Sequence, residues 1–338
     1  MIHADGYLDH QDEDGRTALH KAVLGNYQDC VELLLHYGAN INTSDKVGKT
    51  AFYLAAEKGC SSMVEYLIRK RANVKLSSIE GSALHAAAKS GNVAIVELLL
   101  KQGLHIEEKT RAGGATPLAA AAGWGRLAVI EFLINRRAQI EAKTASGYTA
   151  LMIASNYGHT AAVEVLLNRG AQIEAKLPSG CTALIIASQN GHTAAVEVLL
   201  NRGAQIEAKA INGSTALITA SQDGHTAAVE VLLNRGAQIE AKTINGGTAL
   251  MIASREGQTA AVEVLLNRGA QIEAKTINGG TALMIASHEG HTAVVEVLLN
   301  RGAQIEAKTI NGSTALMIAS KNGRTAAVEV LLNRGAQI

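Results

Sequence analysis

The sequence predicts an all-α fold with short β-hairpin loops, organised as a curved solenoid of stacked helix-turn-helix units. Three observations lead there. From about residue 140 onward one phrase recurs every 33 residues: Thr-Ala-Leu-Met-Ile-Ala-Ser begins at Thr149 and returns with small changes at Thr182, Thr215, Thr248, Thr281 and Thr314. A fixed period of this size marks a stack in which each unit packs on its neighbours. Each copy also carries two short apolar stretches at helical spacing, divided by a glycine. Finally, two prolines against 33 glycines describe helical interiors with regular breaks.

The elements follow in order within one copy, Thr144 to Lys176. Thr149 supplies a hydroxyl to cap a first helix over 150–157, with Leu151, Ile153 and Ala154 turned inward. Gly158 provides the left-handed residue that ends it. A second helix spans Thr160 to Asn168, with Val163, Leu166 and Leu167 on one face, and Gly170 closes it. Residues 171–176 are extended, and Ser146-Gly147 turns the chain. In later copies the turn is Asn212-Gly213, Asn245-Gly246, Asn278-Gly279 and Asn311-Gly312, a pair that favours a tight hairpin. Neither helix reaches the roughly 12–15 residues at which isolated helices become marginal, so each unit depends on its neighbours for burial. Small residues in the first helix and branched ones in the second predict curvature, with first helices and hairpins on the concave side.

Asp12-Glu13-Asp14-Gly15-Arg16-Thr17-Ala18-Leu19-His20 and Leu33-Leu34-Leu35-His36-Tyr37-Gly38-Ala39-Asn40-Ile41-Asn42 extend the pattern toward the N-terminus, as do Ser82-Ala83-Leu84-His85 and Thr116-Pro117-Leu118. These phrases resemble the ankyrin-repeat family. The motif leucine or its substitute falls at Leu19, Phe52, Leu84, Leu118, Leu151, Leu184, Leu217, Leu250, Leu283 and Leu316, which gives ten repeats over residues 12–338. Repeats over 12–143 are four diverged units; those over 144–338 are six near-copies, the last truncated. Residues 1–11 read as the tail of a preceding or atypical capping repeat. Because Val328, Leu331 and Leu332 carry no polar cap, the chain is expected to be part of a longer protein; the alternative is a native end that frays.

Departures from the family pattern carry expectations of their own. The family's His after the motif leucine becomes Tyr53, Ala119, Met152, Ile185, Ile218, Met251, Met284 and Met317, so packing replaces a polar link between units. Arg71 and Arg137 replace the glycine that closes the second helix, at a local cost of about 1 kcal/mol. The loop around Arg111-Ala112-Gly113-Gly114 is one residue longer than the others and predicts an irregular hairpin.

Composition excludes several functions. Lys plus Arg (31) balances Asp plus Glu (30), which gives no basic excess for a nucleic-acid partner. Cys30, Cys60 and Cys181 are odd in number and far apart, which favours a reducing, cytoplasmic location over a secreted disulfide framework. Cys30 reads as a buried core residue. No leader is apparent in Met1-Ile2-His3-Ala4-Asp5, and no apolar run is long enough for membrane insertion. Gly123-Trp124-Gly125-Arg126-Leu127-Ala128 imitates a dinucleotide fingerprint, but Gly125 is in register with the inter-helix glycines and follows a helix. His159, His192, His225 and His291 recur one per unit, too far apart for a shared zinc. His20 and His85 read as hydrogen-bonded motif residues. No catalytic residue, no metal ligand and no cofactor is assigned.

Information about a partner must lie where near-identical copies differ. The most variable pair precedes the inter-helix glycine: Asn156-Tyr157, Gln189-Asn190, Gln222-Asp223, Arg255-Glu256, His288-Glu289 and Lys321-Asn322. The residue before the motif threonine also varies: Tyr148, Cys181, Ser214, Gly247, Gly280 and Ser313. The resemblance implies that such positions touch partners on the concave face; unconstrained drift of exposed sites is the alternative. Trp124 occupies the same variable column, and with Tyr148 and Tyr157 it suggests an aromatic patch, unless its ring folds over the Gly113-Gly114 irregularity. Ile211, Ile244, Ile277 and Ile310 either form apolar fingertips or pack on adjacent hairpins. Recurrent Glu164, Arg169, Glu174 and Lys176 read as a mutually neutralising, solvated face. The predicted function is a non-catalytic scaffold, a monomeric array that binds a protein or peptide. The alternative is a structural or elastic spacer in a larger protein whose activity lies elsewhere.

Overall fold

The computed structural model describes residues 8–337. The expectations for the first five residues and for the break at Ile338 lie outside them. Among the described residues, 20 short helices follow in pairs, and the chain divides into two compact units.

The first unit comprises residues up to 154 together with 161–172. It contains α1 (Ala18–Leu24), α2 (Gln28–His36), α3 (Ala51–Lys58), α4 (Ser61–Arg69), the strands β1 (Ser77–Ser78) and β2 (Gly81–Ser82), α5 (Ala83–Ser90), α6 (Val93–Lys101), α7 (Pro117–Gly123), α8 (Leu127–Asn135) and most of α9 (Ala150–Asn156) and α10 (Thr160–Asn168). The second unit, 155–160 and 173 onward, holds α11 (Ala183–Gln189), α12 (Thr193–Asn201), α13 (Ala216–Gln222), α14 (Thr226–Asn234), α15 (Ala249–Arg255), α16 (Thr259–Asn267), α17 (Ala282–Glu289), α18 (Thr292–Asn300), α19 (Ala315–Lys321) and α20 (Thr325–Asn333). Within each unit, first helices pack on first helices and second on second, in sequence order.

Each first helix starts where a threonine or serine in extended conformation caps it. Thr248 Oγ1 accepts from the Met251 amide at 3.5 Å, and Thr50 Oγ1 from Tyr53 at 3.2 Å. Alanines and the motif leucine then bury completely, which brings neighbouring backbones close. In the late copies the buried residue beside the leucine is Met152 or its equivalent rather than Ile153, which is half-exposed. The isoleucine column is mixed, with Ile186 and Ile252 buried and Ile153, Ile285 and Ile318 half-exposed.

Glycines with positive φ end the elements, as at Gly158 (70°) and Gly170 (87°). Arg71 and Arg137 do adopt left-handed conformations, at φ 64° and 65°, and so does Asn26 at 56°. Glycines in the Arg137 column, such as Gly103 and Gly170, have open space where a Cβ would stand, so the conformation itself carries the strain. Arg137→Gly is therefore expected to stabilise the chain by about 0.5–1 kcal/mol, after the added freedom of the unfolded glycine is subtracted. Chemical denaturation checks this; an unchanged or lowered midpoint rejects it.

The Asn-Gly turns differ from a two-residue hairpin. Gly246 N–H bonds Thr243 O at 2.9 Å, Thr243 N–H bonds Gly247 O at 3.0 Å, and only the glycine has positive φ. This is a type I turn followed by a left-handed glycine, the three-residue loop. Glycine is also required by proximity: a Cβ on Gly213 would stand 2.8 Å from the amide nitrogen of Ile244 in the next hairpin. Hairpins are joined by Ile211 N–H to Ser179 O (2.8 Å) and Ile244 N–H to Asn212 O (3.0 Å). The extra residue near Gly113 widens its turn, so that Gly114 N–H reaches Thr110 O instead.

Two further expectations are corrected. Cys30 is exposed. Its column faces the preceding helix pair and is buried at Ala195, Ala228 and Ala261, but among the described residues no pair precedes α1 and α2. The late charged columns do not mainly neutralise one another. Glu174 accepts from the Gln205 amide at 2.7 Å, and Glu207 and Glu240 do the same for Gln238 and Gln271. Arg235 and Arg268 reach Asn201 and Asn234 at 2.7 Å. These bonds stitch one repeat to the next through backbone and amide groups. Asp9 makes the equivalent bond to the Asn40 amide at 3.0 Å.

Candidate interaction surface

The column that lost the family histidine shows what replaced it. In the first unit, His20 bridges repeats: Nδ1 faces Thr17, and Nε2 lies 3.1 Å from Lys49 O. His85 does likewise, with Nδ1 on Ser82 and Nε2 at 3.0 Å from both Glu108 O and Ala115 O. Burial holds both imidazoles below their usual pKa, partly offset by the carbonyls they meet. A neutral ring with its proton on Nε2 satisfies every partner.

In the second unit Ile185, Ile218, Met251 and Met284 are buried at that position, as expected. A polar link nevertheless persists elsewhere. His192 Nε2 lies 2.9 Å from Asn156 O, Gln258 Nε2 donates to Gln222 O at 3.2 Å, His291 Nε2 lies 2.8 Å from Arg255 O, and Arg324 Nε donates to His288 O at 2.9 Å. In these four copies the residue before the second helix thus holds the backbone of the preceding repeat's variable pair. This explains the recurring histidines, and its signal was legible: one long polar side chain in that place in every copy. Among the described residues no cluster of three His, Cys, Asp or Glu is arranged to hold a metal, and no helix is long and apolar enough to cross a membrane.

Four of the six variable pairs therefore have anchored backbones, and the side chains of all six lie at the surface. Tyr157, Gln189, Asn190, Asp223, Arg255, Glu256, His288, Lys321 and Asn322 are exposed, and Asn156, Gln222 and Glu289 half-exposed. Asn190 Nδ2 reaches Asn156 Oδ1 at 3.4 Å; Arg255 Nε pairs with Glu256 at 2.8 Å, and His288 Nδ1 lies 2.9 Å from Glu289. Burial raises the Asp223 carboxyl above its ordinary range, with the Glu256 charge adding to this and His225 opposing it. The ring of Tyr157 lies 6.3 Å from that of His159. In the first unit Trp124 is 56% exposed and Tyr148 is half-buried. So exposed an indole is no lid over the Gly113-Gly114 loop. Gly125 (φ 63°) is the turn between α7 and α8, as its register required.

Two features had no sequence signal. In the first unit Lys49 Nζ bonds Glu57 (2.9 Å) and Glu80 (3.0 Å), while Lys89 bonds the other Glu80 oxygen (2.9 Å). This chain of charges joins hairpin to helix ends. Lys89, ahead of Lys49, holds the Glu80 carboxyl below its usual pKa against the opposing effect of burial. In the second unit the corresponding space is open. A cavity of about 560 Å³ lies between the hairpins and first helices of the seventh to tenth repeats, edged by Gln222, Arg255, His288 and Glu289. Ile211, Ile244, Ile277 and Ile310 stand at the hairpin tips with 65–74% of their surface free, so they do not pack down on adjacent hairpins.

The chain is similar to known proteins in sequence and in fold. Over 129 residues, 38% of this chain, the sequence is 32% identical to the potassium channel AKT2/3 of Arabidopsis thaliana. The match spans 16% of that protein's length. The crystal structure of the human ASB11 ankyrin repeat domain superposes with a TM-score of 0.60 at 27% identity, covering 66% of this chain and 100% of that one. Ankyrin repeats are generally protein–protein interaction modules and typically non-catalytic scaffolds. The family profile described as ankyrin repeats (3 copies) matches residues 2–78, 71–144, 137–210, 207–276 and 272–338, and the chain belongs to the ankyrin-repeat family.

Proposed function

We propose that this chain is a non-catalytic scaffold that binds a protein or peptide along the face formed by its first helices and hairpin tips. One observation carries the reading. Where near-identical repeats differ most, at the pairs from Asn156-Tyr157 to Lys321-Asn322, the side chains are exposed or half-exposed, and in four of the six pairs, at Asn156, Gln222, Arg255 and His288, the backbone is tied to the next repeat. Ordered backbones reduce the cost of ordering on binding, and side-chain differences then select the partner. Trp124 and Tyr148 in the first unit and Tyr157 in the second are the proposed aromatic contacts, and the chain is proposed to act as a monomer. The same proposal separates four diverged repeats over 12–143 from six near-copies over 144–338. Three free cysteines, Cys30 exposed and the others half-buried, support a reducing, cytoplasmic setting.

To test it, proteins captured on the purified chain are re-measured individually against Trp124→Ala and Tyr157→Ala. Either substitution is expected to weaken binding by about 2 kcal/mol or more, with the melting temperature unchanged. Affinity unchanged in both variants rejects the assignment.

A second reading, a spacer within a larger protein, is favoured by the Arabidopsis channel, in which the similar stretch is a small part of a much longer chain. Elastic recovery under force, together with failure to retain any partner, is the result that reading requires.

A further inference from the structure

We propose that the cavity of the second unit is a specificity pocket that takes one bulky, uncharged apolar side chain from an extended peptide segment of the partner. This rests on the scaffold reading above and names the chemistry of its recognition.

The pocket lies where two of the six late repeats differ from the other four at one position. Before the motif threonine, Ser214 and Ser313 flank Gly247 and Gly280. Neither glycine has positive φ, so neither is needed for backbone conformation. A Cβ on Gly247 would stand 3.3 Å from Ile252 Cδ1 and Thr243 Oγ1, and one on Gly280 3.2 Å from Thr276 Oγ1. Both sites line the cavity, and what the glycines supply there is room. The backbone is otherwise as in the Ser313 repeat: Gly247 N–H donates to Thr243 Oγ1 at 3.1 Å, as Ser313 N–H does to Thr309 Oγ1.

The lining specifies the occupant. Met251, Met284, Ile252, Ile285 and Ile318 present an apolar floor, with Ile244 at the rim. About 560 Å³ lies within the roughly 300–1,000 Å³ of ligand pockets, ample for the largest side chain. The charged groups at the edge already have partners: Arg255 is paired with Glu256, and Glu289 lies 2.9 Å from His288 Nδ1. A charged occupant would lose its hydration over the apolar floor and meet rim groups that already have partners, whereas an uncharged one loses little. Asn212, Asn245 and Asn278 place one amide per hairpin along the same wall, suited to a peptide backbone. With repeats about 10 Å apart and an extended chain rising about 3.3 Å per residue, successive hairpins meet every third residue. In the first unit Lys49, Glu80 and Lys89 are linked by ion pairs between the hairpin and the first helices.

The probe is a phage-displayed library of random linear peptides, selected on the whole purified chain. Enriched peptides are expected to share one bulky apolar residue among uncharged neighbours. Their affinity should fall by roughly tenfold or more on Gly247→Ser/Gly280→Ser, with the melting temperature retained because serine already occupies this column. Ile244→Ser, which alters an exposed rim residue, is the second variant and should weaken the same peptides. Equal binding to wild type and both variants overturns the pocket but leaves the scaffold reading intact, as does enrichment of charged anchors. No enrichment at all also overturns it, and the Trp124 and Tyr157 measurements then judge the scaffold separately.

Discussion

His85→Ala is expected to destabilise the first unit by about 3–5 kcal/mol. The imidazole is fully buried and meets the Ser82 amide and hydroxyl on one side and the Glu108 and Ala115 carbonyls on the other. Truncation leaves these groups without their ring partner, at about 1–3 kcal/mol for each one left unsatisfied, and opens a cavity besides. Denaturant titration of the full chain measures the loss. Hydrogen exchange should place it in α5 and α7, with α15 and α17 retaining their protection. A loss under 1 kcal/mol would show that water replaces the ring without penalty. The same residue gives a pH signature. Its folded pKa is depressed below the ordinary 6.5, so the unfolded chain binds the proton more readily. The stability it contributes is present above about 6.5 and declines as pH falls below that value. His20 has the same sign. Acidification from neutral pH should therefore loosen α1 and α5 before α15, whose corresponding residue is Met251.

Leu250→Ala is expected to cost about 2–5 kcal/mol, and Leu316→Ala no more than about half as much. Both leucines occupy the same place in nearly identical repeats, so the contrast isolates the effect of neighbours. Leu250 is 1% exposed between α13 and α17; Leu316 is 8% exposed, and among the described residues no helix pair follows it. In the same repeat Met317 is 57% exposed, while Met251 is buried. If stability is a sum of nearest-neighbour interfaces, exchange should accelerate in α13, α15 and α17 of the Leu250 variant and spare α3 and α5. Equal costs at the two leucines, or a uniform loss of protection along the chain, would argue that the repeats fold as one indivisible body.

Sequence alone determined the repeat, its two helices, the capping threonines, the left-handed glycines and even the strained Arg71 and Arg137. Each of these depends on residues within a few positions of one another, and the period displayed them several times over. It also marked the variable pairs, because side chains that pack nothing are free to change. What it misplaced depends on neighbours 31 to 36 residues away. Glu174 and Arg235 looked like solvated charges until the next repeat brought a backbone amide to one and the preceding repeat a side-chain amide to the other. Cys30 looked buried because its column is, but burial there requires a preceding pair. The cavity beside Gly247 and Gly280 was visible only as two more variable residues. Tertiary structure made it a pocket, since empty volume is a property of the side chains around a position, and those come from four hairpins and four helices at once.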